Sequence, residues 1–123
     1  MKAYVKQLIL NKEEYYETHL NLVNAIARLH LTPREIEVLL AFMTLNGELA
    51  SDRFSTLSRR KVKFDLDLSD SGLSNIIGSL RRKKCIITKE DHVEIHSILY
   101  PKNAQQSYIF KLICNEDDTQ DVD

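Results

Sequence analysis

Apolar residues recur along this chain with two periods, about 3.6 and 2, and the switches between them predict its elements. The strongest signal lies between Asp67 and Ile87. Leu73, Ile76, Ile77 and Leu80 fall at i, i+3, i+4 and i+7, the stripe of a helix with one buried face. Ser69 is its predicted N-cap, because a hydroxyl there can accept from an unpaired backbone N–H one turn on. Leu68 and Leu73 take the two positions of a hydrophobic staple. At about 100° per residue, the opposite face carries Ser71, Asn75, Gly78 and Arg82, flanked by Ser74, Ser79 and Arg81. That face is small, polar and rich in donors, and it runs into Arg81-Arg82-Lys83-Lys84. It suits a DNA major groove, and equally a solvated surface.

Taken in order, Tyr4 to Leu10 is rich in strand formers and predicts a short β-strand. Asn11 then caps a helix, with Glu14 closing a capping box and Tyr16, Leu20, Val23 and Ala27 forming its stripe. This strand and helix either complete the subunit's own core or form a dimer interface. Thr32-Pro33-Arg34-Glu35 is the clearest helix start in the chain. Thr32 caps, Pro33 sits where its missing N–H costs nothing, and Glu35 closes a capping box. Ile36, Leu39, Leu40 and Met43 continue as a core stripe, and Asn46-Gly47 ends the helix.

Residues 48–57 show no strong period and are expected to connect. From Ser58 to Leu68, Val62, Phe64, Leu66 and Leu68 alternate as in a strand, yet Val62 and Leu66 also share a helical face. Helix is the better choice. A short helix, a tight turn at Asp67-Leu68-Ser69 and an amphipathic second helix make a helix-turn-helix. Strand-like segments follow at Cys85–Thr88, Val93–Leu99 and Tyr108–Ile113. Lys89–His92 is a predicted turn and Tyr100–Ser107 a longer polar loop. A hairpin after a helix-turn-helix, with a polar loop at its tip, is the layout of a winged helix.

Composition narrows the function. The 123 residues, 28% charged and 43% hydrophobic, fit one modest globular domain. No apolar run reaches the roughly 20 residues of a membrane span, and no signal-peptide core opens the chain, so a cytoplasmic protein without membrane contact is expected. Cys85 and Cys114 lie in apolar segments and read as buried reduced thiols, a disulfide being the alternative. Net charge is only −1, but from Arg53 to Lys84 nine basic residues face three acids, a local charge of +6. Residues 115–123 carry five acids and no base. Such asymmetry suits a nucleic-acid surface followed by an acidic, disordered tail that aids solubility or competes for the basic face. Catalysis is not expected. The four histidines are scattered, His92 and His96 lack the glutamate of a zincin motif, and no glycine-rich phosphate loop or nucleophile elbow is present. Neither a metal nor a cofactor is predicted.

The segment LTPREIEVLLAFMTL resembles the opening helix of LuxR-type and MarR-type helix-turn-helix domains. LDLSDSGLSNIIGSLRRKKCI resembles the turn and recognition helix of MarR-like winged-helix regulators. The likeness covers roughly Leu31 to Ile113 and extends in general cut to small bacteriophage winged-helix proteins, which implies a bacterial or phage-infected cell. It implies that Ser71, Ser74, Asn75, Ser79 and Arg82 contact base edges or nearby phosphates. It also implies wing contacts from Lys102, Asn103, Gln105 and Gln106. Only one of those four is basic, and the N-terminal strand and helix match neither family's usual flank.

Each role has a physical basis. Asn75 can offer its amide bidentately to adenine, and Arg82 its guanidinium to guanine or phosphate. Ser71 and Ser74, near a helix N-terminus, suit a phosphate. Arg59, Arg60 and Lys61, with the basic end at Arg81 and Lys83, suit phosphates and supply affinity rather than sequence preference. Gly78 sacrifices roughly 1 kcal/mol of helix propensity relative to alanine. Close approach of DNA or of another helix would compensate.

The sequence thus predicts an α+β, mainly α, winged helix-turn-helix at residues 31–114. An N-terminal strand and helix at 1–30 precede it, and an acidic tail at 115–123 follows. The expected function is a DNA-binding transcription regulator, a homodimer reading two-fold double-stranded DNA. The alternative is a winged helix used as a protein-interaction or assembly module.

Overall fold

Helix α2 (Pro33–Met43) is the element on which the others pack. Thr32 and Glu35 form the predicted capping box at its start, and Val38, Leu39 and Phe42 are wholly buried along its stripe. In this computed structural model residues 5–115 are described. Among them the architecture is α+β and mainly helical, with five helices and one two-stranded antiparallel sheet. Helix α1 (Lys12–Ala27), with its capping box of Asn11 and Glu14, lays Leu20 onto α2 and the 3-10 turn Ser97–Leu99. Helix α4 (Thr56–Asp65) brings Val62, and α5 (Asp70–Arg82) brings Leu73, Ile77 and Leu80. Strands β1 (Ile86–Lys89) and β2 (His92–Ile95) close the core with Ile86 and Ile95, which pair directly across the hairpin. No helix among the described residues is long and apolar enough to cross a membrane.

Several expectations are corrected. Residues 5–10 form no strand, because no neighbouring strand pairs with them, and Ile9 is 99% exposed. Tyr4 lies outside the described residues. Helix α2 stops at Met43 with Thr44 as its cap, so Gly47, at φ +60°, instead opens a short helix α3 (Glu48–Ser51) within the predicted connector. Arg53 covers that end. Its guanidinium donates to the carbonyls of Phe42 (2.8 Å) and Met43 (3.1 Å), satisfying the open C-terminal end of α2.

The helical choice for the region after Ser58 holds, and α4 begins two residues earlier. The predicted strand at Val93–Leu99 is cut short at Ile95. His96 caps the 3-10 turn through its ring, so Ile98 and Leu99 leave the ladder. Tyr108–Ile113 is unpaired, and thus not a strand of this sheet. Cys85 is buried, and burial pushes its thiol up, whereas Cys114 is exposed; both are free thiols. Of the acidic tail only Asn115 falls within the described residues.

Candidate nucleic-acid interface

The connection between α4 and α5 is built from successive local devices. Helix α4 ends in a Schellman motif: Leu68 N–H donates to the Lys63 carbonyl (2.9 Å) and Asp67 N–H to that of Phe64 (3.3 Å). Asp67 takes the left-handed position at φ +53°, which aspartate tolerates better than most residues. Two residues on, the Ser69 hydroxyl accepts from Gly72 N–H and starts α5, as predicted. Two longer contacts fix the turn. Arg34 of α2 donates to the Leu66 carbonyl at 2.8 Å, and Lys63 of α4 pairs with Asp70 at 2.6 Å. The Lys63 hydrogen bond and charge hold the Asp70 carboxyl below its ordinary range.

The far end of α5 is held by one carboxylate. Glu35 is 5% exposed and accepts from the Ser79 hydroxyl, from Lys83 Nζ at 2.6 Å and from Thr32 N–H at 2.8 Å. Burial raises its pKa, but the hydrogen bonds from Lys83, Ser79 and Thr32 and the Lys83 charge outweigh that, and the carboxyl sits at about 2. Lys83 also donates to the His30 carbonyl at 2.7 Å. Ser79 and Lys83, both expected at the nucleic-acid surface, are therefore turned inward and anchor α5 to α2.

The remaining candidates on α5 stay outside. Ser71, Ser74, Asn75 and Arg82 are exposed. Ser71 lies 3.3 Å from the Ser69 hydroxyl, whereas Ser74, Asn75 and Arg82 carry no intramolecular hydrogen bond or ion pair among the described residues. Arg81 donates to the Thr88 hydroxyl on β1 (3.1 Å) and keeps its remaining donors in solvent. On α4, Arg60 is exposed and uncommitted, Arg59 donates to the Phe54 carbonyl, and Lys61 pairs with Asp65 at 2.9 Å. Arg59, Arg60 and Lys63 line an open notch of ≈ 400 Å³ against Thr56, Asp70, Leu73 and Ser74, so the two helices present one basic, hydroxyl-bearing surface. Thr56 and Lys63 were not anticipated. Their membership depends on how α4 crosses α5, for which the local pattern holds no signal.

Gly78 is the smallest point of that surface. A Cβ added there meets only the tip of Arg82, at 3.6 Å, and no other element. Packing within the chain therefore does not require glycine. Gly78→Ala is expected to raise stability by about 1 kcal/mol, read from urea unfolding. It should weaken DNA binding at the same time if a duplex approaches the backbone there. Tighter binding together with higher stability would argue against that approach.

The wing expected at Tyr100–Ser107 is not where the hairpin turns. The turn is Glu90-Asp91, with φ of +52° and +64°, between Lys89 and its partner His92. Lys102 and Gln105 are exposed in a loop fastened to α1, where Tyr15 Oη donates to the Asn103 carbonyl at 2.7 Å. The principal packing partners of α1 are α2 and the 3-10 turn, not α5. No hydrogen bond or ion pair joins these two residues to α4 or α5 among the described residues. Compared with known proteins, the chain matches no family model, no curated protein and no solved structure.

Proposed function

We propose that this chain is a winged helix-turn-helix transcription regulator that binds double-stranded DNA, with α5 in the major groove and α4 against the phosphates. The observation that carries this reading is the uncommitted donor face of α5. Ser74, Asn75 and Arg82 sit exposed around a glycine, beside Arg60 and the basic notch, with no hydrogen-bonding partner among the described residues. Asn75 and Arg82 are the base readers; Arg59, Arg60 and Arg81 contact phosphates, while Ser71 and Ser74 meet a phosphate near the start of α5. The resemblance to MarR-like recognition helices supports the same assignment, as does the +6 charge concentrated between Arg53 and Lys84. As a homodimer the protein would present two copies of α5 to a two-fold site. A cytoplasmic setting, in a bacterial or phage-infected cell, follows from this role.

The hairpin supports a second reading. Its tip is acidic, and phosphates repel Glu90 and Asp91, while Phe64 on α4 is 83% exposed. Those features suit a protein-interaction or assembly module.

Titrating random-sequence duplex DNA at several salt concentrations separates the two. Three phosphates neutralised per subunit, by Arg59, Arg60 and Arg81, give a slope of log affinity against log salt of roughly −2.7. Absence of binding at low salt would remove the regulator reading and favour the interaction module.

A further inference from the structure

We propose that the open notch between α4 and α5 binds the terminal phosphate of a small phosphorylated molecule, as a monoester dianion. Arg59, Arg60 and Lys63 bring three positive charges to the notch, and Asp70 brings one negative charge. Lys63 and Asp70 match each other at 2.6 Å. That leaves the guanidinium charges of Arg59 and Arg60 without a counter-ion among the described residues. A monoester, which carries nearly two negative charges at neutral pH, balances both with one group. A single diester phosphate of a duplex balances only one.

The donors are in place for such a group. Arg59 is steadied by its Nε, which donates to the Phe54 carbonyl at 3.0 Å, and its two Nη groups have no other hydrogen bond among the described residues. Arg60 is wholly uncommitted, and a guanidinium fits phosphate oxygens bidentately. The hydroxyls of Thr56 on α4 and Ser74 on α5, likewise without partners among the described residues, add a donor from each helix. At ≈ 400 Å³ the notch falls within the ~300–1,000 Å³ of small-molecule sites, so a phosphate alone does not fill it. Buried Leu73 in its lining offers apolar contact to the group that carries the phosphate. The notch shares Arg59, Arg60 and Ser74 with the surface assigned to DNA, so an occupied notch withdraws contacts from a duplex. That consequence rests on the regulator reading; the binding itself does not.

Amide chemical shifts of the isotope-labelled full chain, titrated at low salt with methyl phosphate (a monoester) and dimethyl phosphate (a diester), test this directly. Methyl phosphate is expected to give saturable shifts at residues 56–63 and 70–74, with dimethyl phosphate at least about tenfold weaker. Arg60→Gln removes an exposed side chain without a partner among the described residues, and should weaken methyl phosphate roughly tenfold at unchanged melting temperature. Lowering the pH from about 8 to about 5 should weaken it too, because the ester takes up its second proton near about 6. The notch itself does not titrate there: Lys63 holds the Asp70 carboxyl below its ordinary range, and no histidine is in the lining. Equal affinity for the diester, shifts that never saturate, or unchanged affinity in Arg60→Gln overturns the site. Tighter binding of adenosine 5′-monophosphate than of inorganic phosphate supports an ester as the ligand; the reverse order overturns it in favour of free phosphate. DNA is absent from these titrations, so failure of the regulator reading leaves them unaffected.

Discussion

Replacing Asn75 and Arg82 together by alanine is expected to weaken binding to a selected duplex by at least about 30-fold and to leave the melting temperature unchanged. Each side chain is exposed and holds no hydrogen bond or ion pair among the described residues, so its truncation should cost the fold little. Seven residues of helix separate them, roughly 10 Å along α5, which spans about three base pairs of a groove that the helix follows. A bidentate base contact is worth about 1–3 kcal/mol, so two of them account for the loss. The same pair of changes should alter random-sequence binding much less, because Asn75 carries no charge and Arg82 is one of several cations nearby. An equal loss on both duplexes, measured by fluorescence anisotropy, would assign Arg82 to phosphate and deny Asn75 a reading role. No loss on either would count against α5 as the recognition element.

Glu35→Gln is expected to destabilise the protein at pH 7 by about 3 kcal/mol, with the difference from the parent vanishing near pH 2. The folded carboxyl titrates at about 2 against an ordinary 4.5, and a depressed carboxylate contributes its stability above the unfolded value. That contribution is complete above about pH 5 and is lost as pH falls from 4.5 through 2. Holding the carboxyl that far below its ordinary value corresponds to roughly 3 kcal/mol. Glutamine preserves the shape and part of the capping box but leaves Lys83 without a counter-charge. Urea unfolding of both proteins from pH 7 to pH 2 follows the difference and cancels the other carboxylates. A constant gap across that range would mean that Glu35 acts through packing alone. Because Ser79 and Lys83 fix the end of α5, the variant should also bind DNA less tightly at pH 7.

The helices were legible wherever the determinants are local. Thr32 with Glu35, Asn11 with Glu14, and Ser69 before Leu73 each complete a cap within four residues, and all three caps are present. The inner and outer faces of α5 followed from the period for the same reason. What failed depended on distant partners. Tyr4–Leu10 and Tyr108–Ile113 have strand composition, but a strand exists only against another strand, and composition does not supply one. Ser79 and Lys83 looked like surface residues because Glu35, more than forty positions away, gives no local sign of reaching them. The hairpin turn lies before the expected wing because the Val93–Leu99 run, which has the composition of one strand, ends where His96 caps the next turn.

The Lys63–Asp70 pair bears on how tightly any polyanion is held. Lys63 arrives at the surface already neutralised, by a carboxylate fixed 2.6 Å away and itself open to solvent. A phosphate that reaches Lys63 exchanges one anion for another and leaves Asp70 behind as an unbalanced charge, which gathers a cation from solution. The ion released from the DNA is thereby taken up again, and Lys63 adds little to affinity or to its salt dependence. Asp70→Asn removes that competitor. The cation count should then rise by about one, and the protein should bind duplexes of every sequence more tightly, the outcome expected of a carboxylate that brakes indiscriminate adhesion.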